Sequence, residues 1–317
     1  MKRILQPILK AFGYYKIKSK WRWHQYITRL QREDAARKAE ALAWIEAIDH
    51  RLLPEVKKKD NVTVSLTSHG KRVADFAPFA IYSIFHQTML PNRIVLNINR
   101  EKWTEDNLPE LIKKLQIAGL EVNLCEDVGP HTKLLPALEK YPDDVIITVD
   151  DDVYYEDCLI ADLLADFRQK NEPCVICRAG SVLAMQSNEI LPYSHWQDAE
   201  KYAAKNSIIS PHGYCGVLYA PHIFSDEVFN KSVYRQYCKN ADDIWFSIIE
   251  IIEHIPVYMS SRPNSNMIYV DHSNEYVAQN SDALHFGNAE GGRNDEQLAA
   301  LVEHYHLNEL VNERVSE

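Results

Sequence analysis

No run of about 18 consecutive apolar residues occurs in this 317-residue chain, which excludes a membrane-spanning helix. The basic start is not followed by a clean apolar stretch and small residues, so the pattern of a cleaved signal peptide is missing as well. Cysteine is scarce. Six residues without framework spacing point away from a disulfide scaffold and toward reduced thiols in a cytoplasm. Cys174 and Cys177 form a single CxxC, but it lies in the apolar run Cys-Val-Ile-Cys and reads as a strand with structural thiols. No internal repeat or low-complexity segment stands out. Acid is absent from residues 1–32, which hold nine of the 35 Lys and Arg, so the rest sets 26 cations against 45 acids, a net of −19.

That acidic body argues against a nucleic-acid enzyme. The basic start is studded with Phe12, Tyr14, Tyr15, Trp21, Trp23 and Tyr26, a mixture suited to anionic lipid headgroups. It suits equally a basic helix packed on its own acidic domain. Two regions are expected: a basic helical extension over residues 1–60, with one long helix around Glu33–Leu53, and a catalytic-type domain over 61–317.

From Asn61 the pattern alternates. Val62–Leu66, Arg93–Ile98, Glu121–Leu124 and Val145–Val149 read as strands. Asp75–Gln87, Leu108–Ala118 (closed by Gly119) and Thr132–Lys140 read as intervening helices. The fold class is therefore α/β, a mostly parallel sheet flanked by helices, Rossmann-like in kind. In such a sheet the ligand crevice lies outside the carboxyl ends of the strands. Thr67-Ser68, Asn99-Arg100, Glu126-Asp127 and Asp150–Asp152 occupy those ends. Further on, Tyr155–Gln169 and Asp242–His254 read as helices, and Val175–Ile176 and Val217–Tyr219 as strands.

Asp150-Asp151-Asp152, directly after an apolar strand, is the sharpest feature. Like charges oppose one another's ionisation, and a divalent cation removes that penalty. Mg2+ and Mn2+ take oxygen ligands and share few protein carboxylates with substrate phosphates. On an extended segment Asp150 and Asp152 would point one way and Asp151 the other. A solvated acidic loop capping the next helix is the plain alternative.

This constellation resembles the GT-A glycosyltransferases. The similarity rests on the apolar strand with Asp-x-Asp, on Val64-Ser-Leu-Thr-Ser-His-Gly-Lys-Arg72, Ala80-Ile-Tyr-Ser-Ile-Phe-His-Gln-Thr88 and Pro91-Asn-Arg-Ile-Val95, and on Lys133-Leu-Leu-Pro-Ala-Leu, runs similar to bacterial enzymes of surface-polysaccharide, lipopolysaccharide or capsule assembly. It covers roughly residues 61–295. The resemblance implies a GT-A fold and a hexosyltransferase-type enzyme. Such an enzyme moves a sugar from a nucleoside diphosphate-sugar (a UDP-sugar in many relatives) to a glycan or lipid-linked glycan, with inversion. It implies Mn2+ or Mg2+ at Asp152 and Asp150, with His285 as a further ligand and His272 as its competitor. It implies nucleotide-sugar contacts at Thr67, Ser68, Asn99, Asp127, Lys133, Asp150, Asp151 and Arg293. Asp243 or Asp242, at the start of an apolar helix, would be the catalytic base, because an alcohol is a poor nucleophile until deprotonated. His212-Gly-Tyr-Cys-Gly216 is similar to the acceptor-side loop. Relatives place an Asp after the second strand to read uracil. Here Asn97, Asn99 and Arg100 stand there, with Asp127 as substitute.

A lipid-linked acceptor would place the enzyme on the inner face of the plasma membrane, peripherally through residues 1–32. Two other readings compete. A sugar nucleotidyltransferase needs a glycine-rich basic loop after the first strand, but Thr67–Arg72 has a single Gly. A non-catalytic carbohydrate-binding or scaffold protein would not need both acidic pairs.

Overall fold

A computed structural model describes residues 14–58, 61–262, 268–272 and 292–316. His285 lies outside them, as do the first thirteen residues of the basic segment.

The expected α/β architecture is present. A seven-stranded sheet comprises β1 (Val62–Thr67), β2 (Arg93–Asn99), β3 (Leu120–Cys125), β4 (Val145–Thr148), β5 (Val175–Cys177), β6 (Val217–Tyr219) and β7 (Val257–Met259). Its order is β7-β5-β6-β4-β1-β2-β3. Strands β1–β4 pair in parallel, whereas β6 runs antiparallel between β4 and β5. The antiparallel strand closes the run of βα units and turns the chain back toward the carboxyl ends.

Helices cover both faces. They are α1 (Tyr14–Glu46), α2 (Ala77–Phe85), α3 (Glu110–Ala118), α4 (Leu135–Lys140), α5 (Leu159–Arg168), α6 (Lys231–Tyr237), α7 (Asp242–Ile252), α8 (Arg293–Tyr305) and α9 (Leu307–Ser316). The period-2 alternation of strands sends Ile147 into one core with Leu66, Ile84, Leu96, Leu115 and Leu163. It sends the adjacent Ile146 into the other, with Leu134, Val217, Trp245, Ile248 and Leu301. Gly119, with φ 116°, ends α3 as expected: its N–H caps the Gln116 carbonyl in a conformation that favours glycine.

Three elements differ from the sequence reading. The long helix spans Tyr14–Glu46, so the segment after it is irregular and mostly exposed, with Ile48 and Leu53 buried as its anchors. The helix expected over Thr132–Lys140 is split into a 3-10 turn, Gly129–Lys133, and α4. Pro136 in the first turn of α4 has no N–H to bond back along a continuous helix, and the break sends Lys133 inward. The triplet is a turn, not an extended segment. The CxxC reading stands: Cys174 and Cys177 are free thiols with no exposed surface, at and just before β5.

The end of α1 belongs to the main core. Ile45, fully buried, packs in the same cluster as Val62 and Val64, and Ala41 packs with Phe79 and Val270. Asp34 on the same helix, 4% exposed, takes Nδ1 of His272 at 2.7 Å and Arg37 at 2.9 Å. Removing a buried Ile side chain to Ala costs about 2–5 kcal/mol. Ile45→Ala is therefore expected to lower stability by about that amount in urea unfolding. A loss below about 0.5 kcal/mol would mark α1 as peripheral to the fold.

Candidate active site

Two groups of carboxylates meet beyond the carboxyl end of β4, and one lysine joins them. Lys133 Nζ lies 2.8 Å from Asp150 Oδ1 and 3.0 Å from Asp242 Oδ2, the latter an ion contact rather than an aligned hydrogen bond. The lysine is 7% exposed. Burial works to strip its charge, but Asp150, Asp242 and Asp243 outweigh that and hold its pKa well above an ordinary lysine.

A ladder through the sheet fixes its backbone. Asn123 donates to Asn97 (2.9 Å), Asn97 donates to the Ser65 hydroxyl (2.9 Å), and Ser65 donates to the Lys133 carbonyl (2.6 Å). Sequence reasoning treated Asn97 only as a departure at the base-reading position. The structure spends its amide inside the sheet.

The three members of the triplet have different surroundings. Asp151 turns inward, 5% exposed, and takes the Ser68 hydroxyl at 2.5 Å and the Arg72 guanidinium on both oxygens. The side chains of Asp150 and Asp152 are 31% and 23% exposed. Among the described residues, Asp152 has one side-chain partner, Arg72 at 2.8 Å. Burial, together with Asp151 and Asp150, pushes the Asp152 carboxyl up to about 6 despite Arg72. For Arg72 itself, burial opposes the charge, and its bonds to Asp151 and Asp152 raise the pKa regardless. The backbone N–H of Asp150 donates to the Tyr155 hydroxyl (2.7 Å), which donates to the Tyr214 carbonyl (2.9 Å) and ties the triplet to the 212–216 loop.

Across the lysine, Asp243 accepts the Gly213 N–H at 3.1 Å. Burial and the charge of Asp242 push its carboxyl up to about 7, with Lys133 pulling the other way. A side chain at 213 would displace the charged ends of its neighbours. A Cβ there would lie 2.7 Å from Asp243 Oδ1 and 2.8 Å from Lys133 Nζ. Both carboxylates sit in the first turn of α7, where the helix dipole favours negative charge. Beside them Ser181 Oγ meets His212 Nε2 at 2.9 Å.

A cleft of about 720 Å3 opens at the ends of β1–β3, lined by Ser68, His69, Lys71, Asn99, Trp103 and Asp127 among others. Asn99 reaches Asp127 at 3.4 Å. Of the sequence-predicted contacts, Ser68, Asn99 and Asp127 line this cleft and Asp151 lies against it through Ser68. Thr67 donates instead to the Asn97 carbonyl at 2.9 Å. Lys133 joins the carboxylates rather than the cleft. Arg293 is exposed in the first turn of α8, and among the described residues no polar contact links it to the cluster. His272 is bound to Asp34 on α1, and two residues before it Val270 donates its backbone N–H to the Asp152 carbonyl at 2.8 Å. Sequence reasoning missed Arg72 and Tyr155 as parts of the site. Arg72 stands four positions after Ser68, at the start of a short helix, Arg72–Asp75, and its partner lies too far along the chain for any local pattern to mark it.

Five carboxylates here face two cations, Lys133 and Arg72, so the cluster retains negative charge. Among the described residues no group of three or more metal-ligating side chains converges. Two half-exposed carboxylates, Asp150 and Asp152, fit a Mg2+ or Mn2+ that takes its remaining ligands from phosphate and water.

No family model and no curated protein matches the chain. Among solved structures it is similar to glucosyl-3-phosphoglycerate synthase from Mycobacterium tuberculosis in complex with Mn2+, UDP and phosphoglyceric acid, at 10% identity over 81% of this chain and 86% of that one, TM-score 0.42. It is similar to a mannosyltransferase from Pyrobaculum calidifontis in complex with GDP-Man and Mn2+, at 11% identity over 86% and 85%, TM-score 0.40. It is similar too to 2-C-methyl-D-erythritol 4-phosphate cytidylyltransferase from Francisella tularensis, at 13% identity over 65% and 94%, TM-score 0.41. At such identities and scores the chemistry has to be read from this chain's own side chains.

Removing one partner of a buried ion cluster costs about 3–5 kcal/mol. Lys133→Met is expected to lose about that much stability near neutral pH. The folded-state pKa of Asp243 already lies above its unfolded value, so the native state binds the extra proton and acid favours it between the two. Without Lys133 that pKa rises further. The stability loss measured by denaturation should therefore be larger at pH 8 than at pH 5, and a pH-independent loss would contradict the charge cluster.

Proposed function

We propose that the chain is a metal-dependent glycosyltransferase that moves a sugar from a nucleoside diphosphate-sugar to a hydroxyl of a glycan or lipid-linked glycan, with inversion. One observation carries the reading. Lys133 contacts both Asp150 and Asp242, so the triplet and the start of α7 form one site rather than two separate acidic patches.

The cleft at the ends of β1–β3 would take the nucleoside, with Asn99 and Asp127 offering polar groups and Trp103 an aromatic face. Asp150 and Asp152 would hold Mn2+ or Mg2+, which when bound neutralises charge on the diphosphate leaving group. Asp243 faces the 213 backbone on the other side of Lys133. With its carboxyl near 7, it accepts a proton from an acceptor hydroxyl more readily than an ordinary aspartate, as a general base requires. Lys133 Nζ is in ion contact with Asp150 and Asp242, and Asp243, with its carboxyl pushed up to about 7, is the group that would take the proton.

Transfer of a nucleotidyl group to a sugar phosphate is the second reading. It needs no base on the acceptor side, because a phosphate oxygen is already anionic at neutral pH. The enclosed Asp243 beside a backbone held open by Gly213 therefore favours an alcohol acceptor. The product decides: glycosyl transfer or donor hydrolysis releases a nucleoside diphosphate, and nucleotidyl transfer releases pyrophosphate.

A screen of nucleotide sugars with Mn2+ is expected to reveal one donor that is hydrolysed. EDTA and Asp152→Asn should each abolish that hydrolysis. Asp243→Asn should lower kcat for transfer by about 10²–10⁴-fold with nearly unchanged donor affinity. Full activity in EDTA would remove the metal from the reaction, and normal turnover of Asp243→Asn would move the base elsewhere.

A further inference from the structure

The guanidinium of Arg72 has an arrangement that the proposed reaction does not use. Its Nε and one terminal nitrogen grip both oxygens of Asp151, and the same terminal nitrogen lies 2.8 Å from Asp152 Oδ2. The Phe76 ring lies 5.1 Å from its central carbon and backs it from the opposite direction. Ser68 shares the load on Asp151 and also lines the cleft. One nitrogen thus serves two carboxylates. One of these is inward and saturated, and the other is outward and otherwise unpartnered among the described residues.

We propose that Arg72 is a positioning residue with two settings, a counter-cation that holds the place of the metal at Asp152 and is handed to the diphosphate when the metal arrives. This rests on the reading that Asp150 and Asp152 take the divalent cation. The bidentate grip on Asp151 is the permanent half, because those atoms are buried and leave Asp151 no oxygen to spare. The contact to Asp152 is the exchangeable half. A divalent cation at Asp152 repels the guanidinium and takes over its carboxylate oxygen. Lys71, next to Arg72 in the chain, and Ser68, its co-partner on Asp151, both line the cleft, so a phosphate oxygen bound there is the matching acceptor for the N–H released in this way. Lysine cannot substitute, since a single ammonium cannot grip Asp151 on both oxygens and reach Asp152 as well.

The test measures binding in two directions. Mn2+ affinity is read by electron paramagnetic resonance in the absence of nucleotide, and UDP affinity by calorimetry at saturating Mn2+, for the wild-type chain, Arg72→Gln and Arg72→Lys. Loss of a competing charge at a partly exposed site is expected to tighten Mn2+ binding by Arg72→Gln about three- to tenfold. UDP binding should weaken by about tenfold or more in the same variant, and Arg72→Lys should show the UDP loss with little gain in Mn2+ affinity. A variant that merely folds badly loses both affinities together. Unchanged or weaker Mn2+ binding by an Arg72→Gln chain whose thermal unfolding matches the wild type's, with the wild type binding Mn2+ normally, overturns the role of Arg72 and leaves the glycosyltransferase reading intact. No Mn2+ binding by the wild type overturns both.

Discussion

A single buried ammonium decides whether this site can exist. Asp150 ends a strand, and Asp242 and Asp243 begin a helix, so the fold directs three carboxylates at one small volume. Burial raises the cost of each charge, and proximity raises it again. Lys133 sits in hydrogen-bonding reach of one and in ion contact with another. It also accepts its own desolvation, because the carboxylates around it more than offset that cost. With the cation in place the amino end of α7 can abut the carboxyl end of β4, and the dipole of α7 adds to the support of its two acids. Without it, the same backbone arrangement would force protonation or separation of the acids.

The lysine depends in turn on the sheet. Its backbone carbonyl is the last acceptor in a chain of amides and a hydroxyl that crosses β3, β2 and β1. Buried polar side chains are retained in a core only when their hydrogen bonds are made, and this ladder makes them sequentially. Its members are fully or largely buried, which places a polar seam inside an otherwise apolar sheet. The seam registers the three parallel strands against the turn that presents Lys133, so strand register and charge placement are one constraint. The break at Pro136 completes it: a continuous helix through residue 133 would aim the ammonium along a helical face, whereas the 3-10 turn delivers it to the cluster.

Strand and helix order in residues 61–150 was legible because β1, β2 and β4 are short runs rich in Val, Ile and Thr and each helix is followed by a glycine or proline signal. The triplet was legible because three acids after an apolar strand have no cheap structural explanation. What stayed hidden were pairings across long chain separations. Nothing local in the sequence says that Arg72 closes on Asp151, 79 positions later, or that Lys133 joins two acid groups that lie in separate elements. The docking of α1 was hidden for the same reason: its charged surface pattern reads as an extension, and only the tertiary contacts of Ala41 and Ile45 show it as part of the core. The Thr132–Lys140 helix divides in the structure because Pro136, in the first turn of α4, cannot donate back to a residue-132 carbonyl, so residues 129–133 form a separate 3-10 turn.

The division of labour within Asp150–Asp152 follows from the same electrostatics. Three equivalent carboxylates on one turn would repel, so the structure makes them inequivalent. Asp151 is consumed by Arg72 and Ser68 and becomes part of the scaffold. Asp150 is bound on one oxygen by Lys133, which links it to the acid pair of α7. Asp152 shares one Arg72 nitrogen with Asp151, and burial pushes its carboxyl up to about 6. A carboxylate left in that condition is the position at which an added cation gains most, since the cation removes a penalty already present in the fold. The middle aspartate thus fixes the turn, the first links it through Lys133 to the acid pair of α7, and the last is held by a nitrogen that Arg72 shares with Asp151, so three identical side chains in sequence have three different surroundings in space.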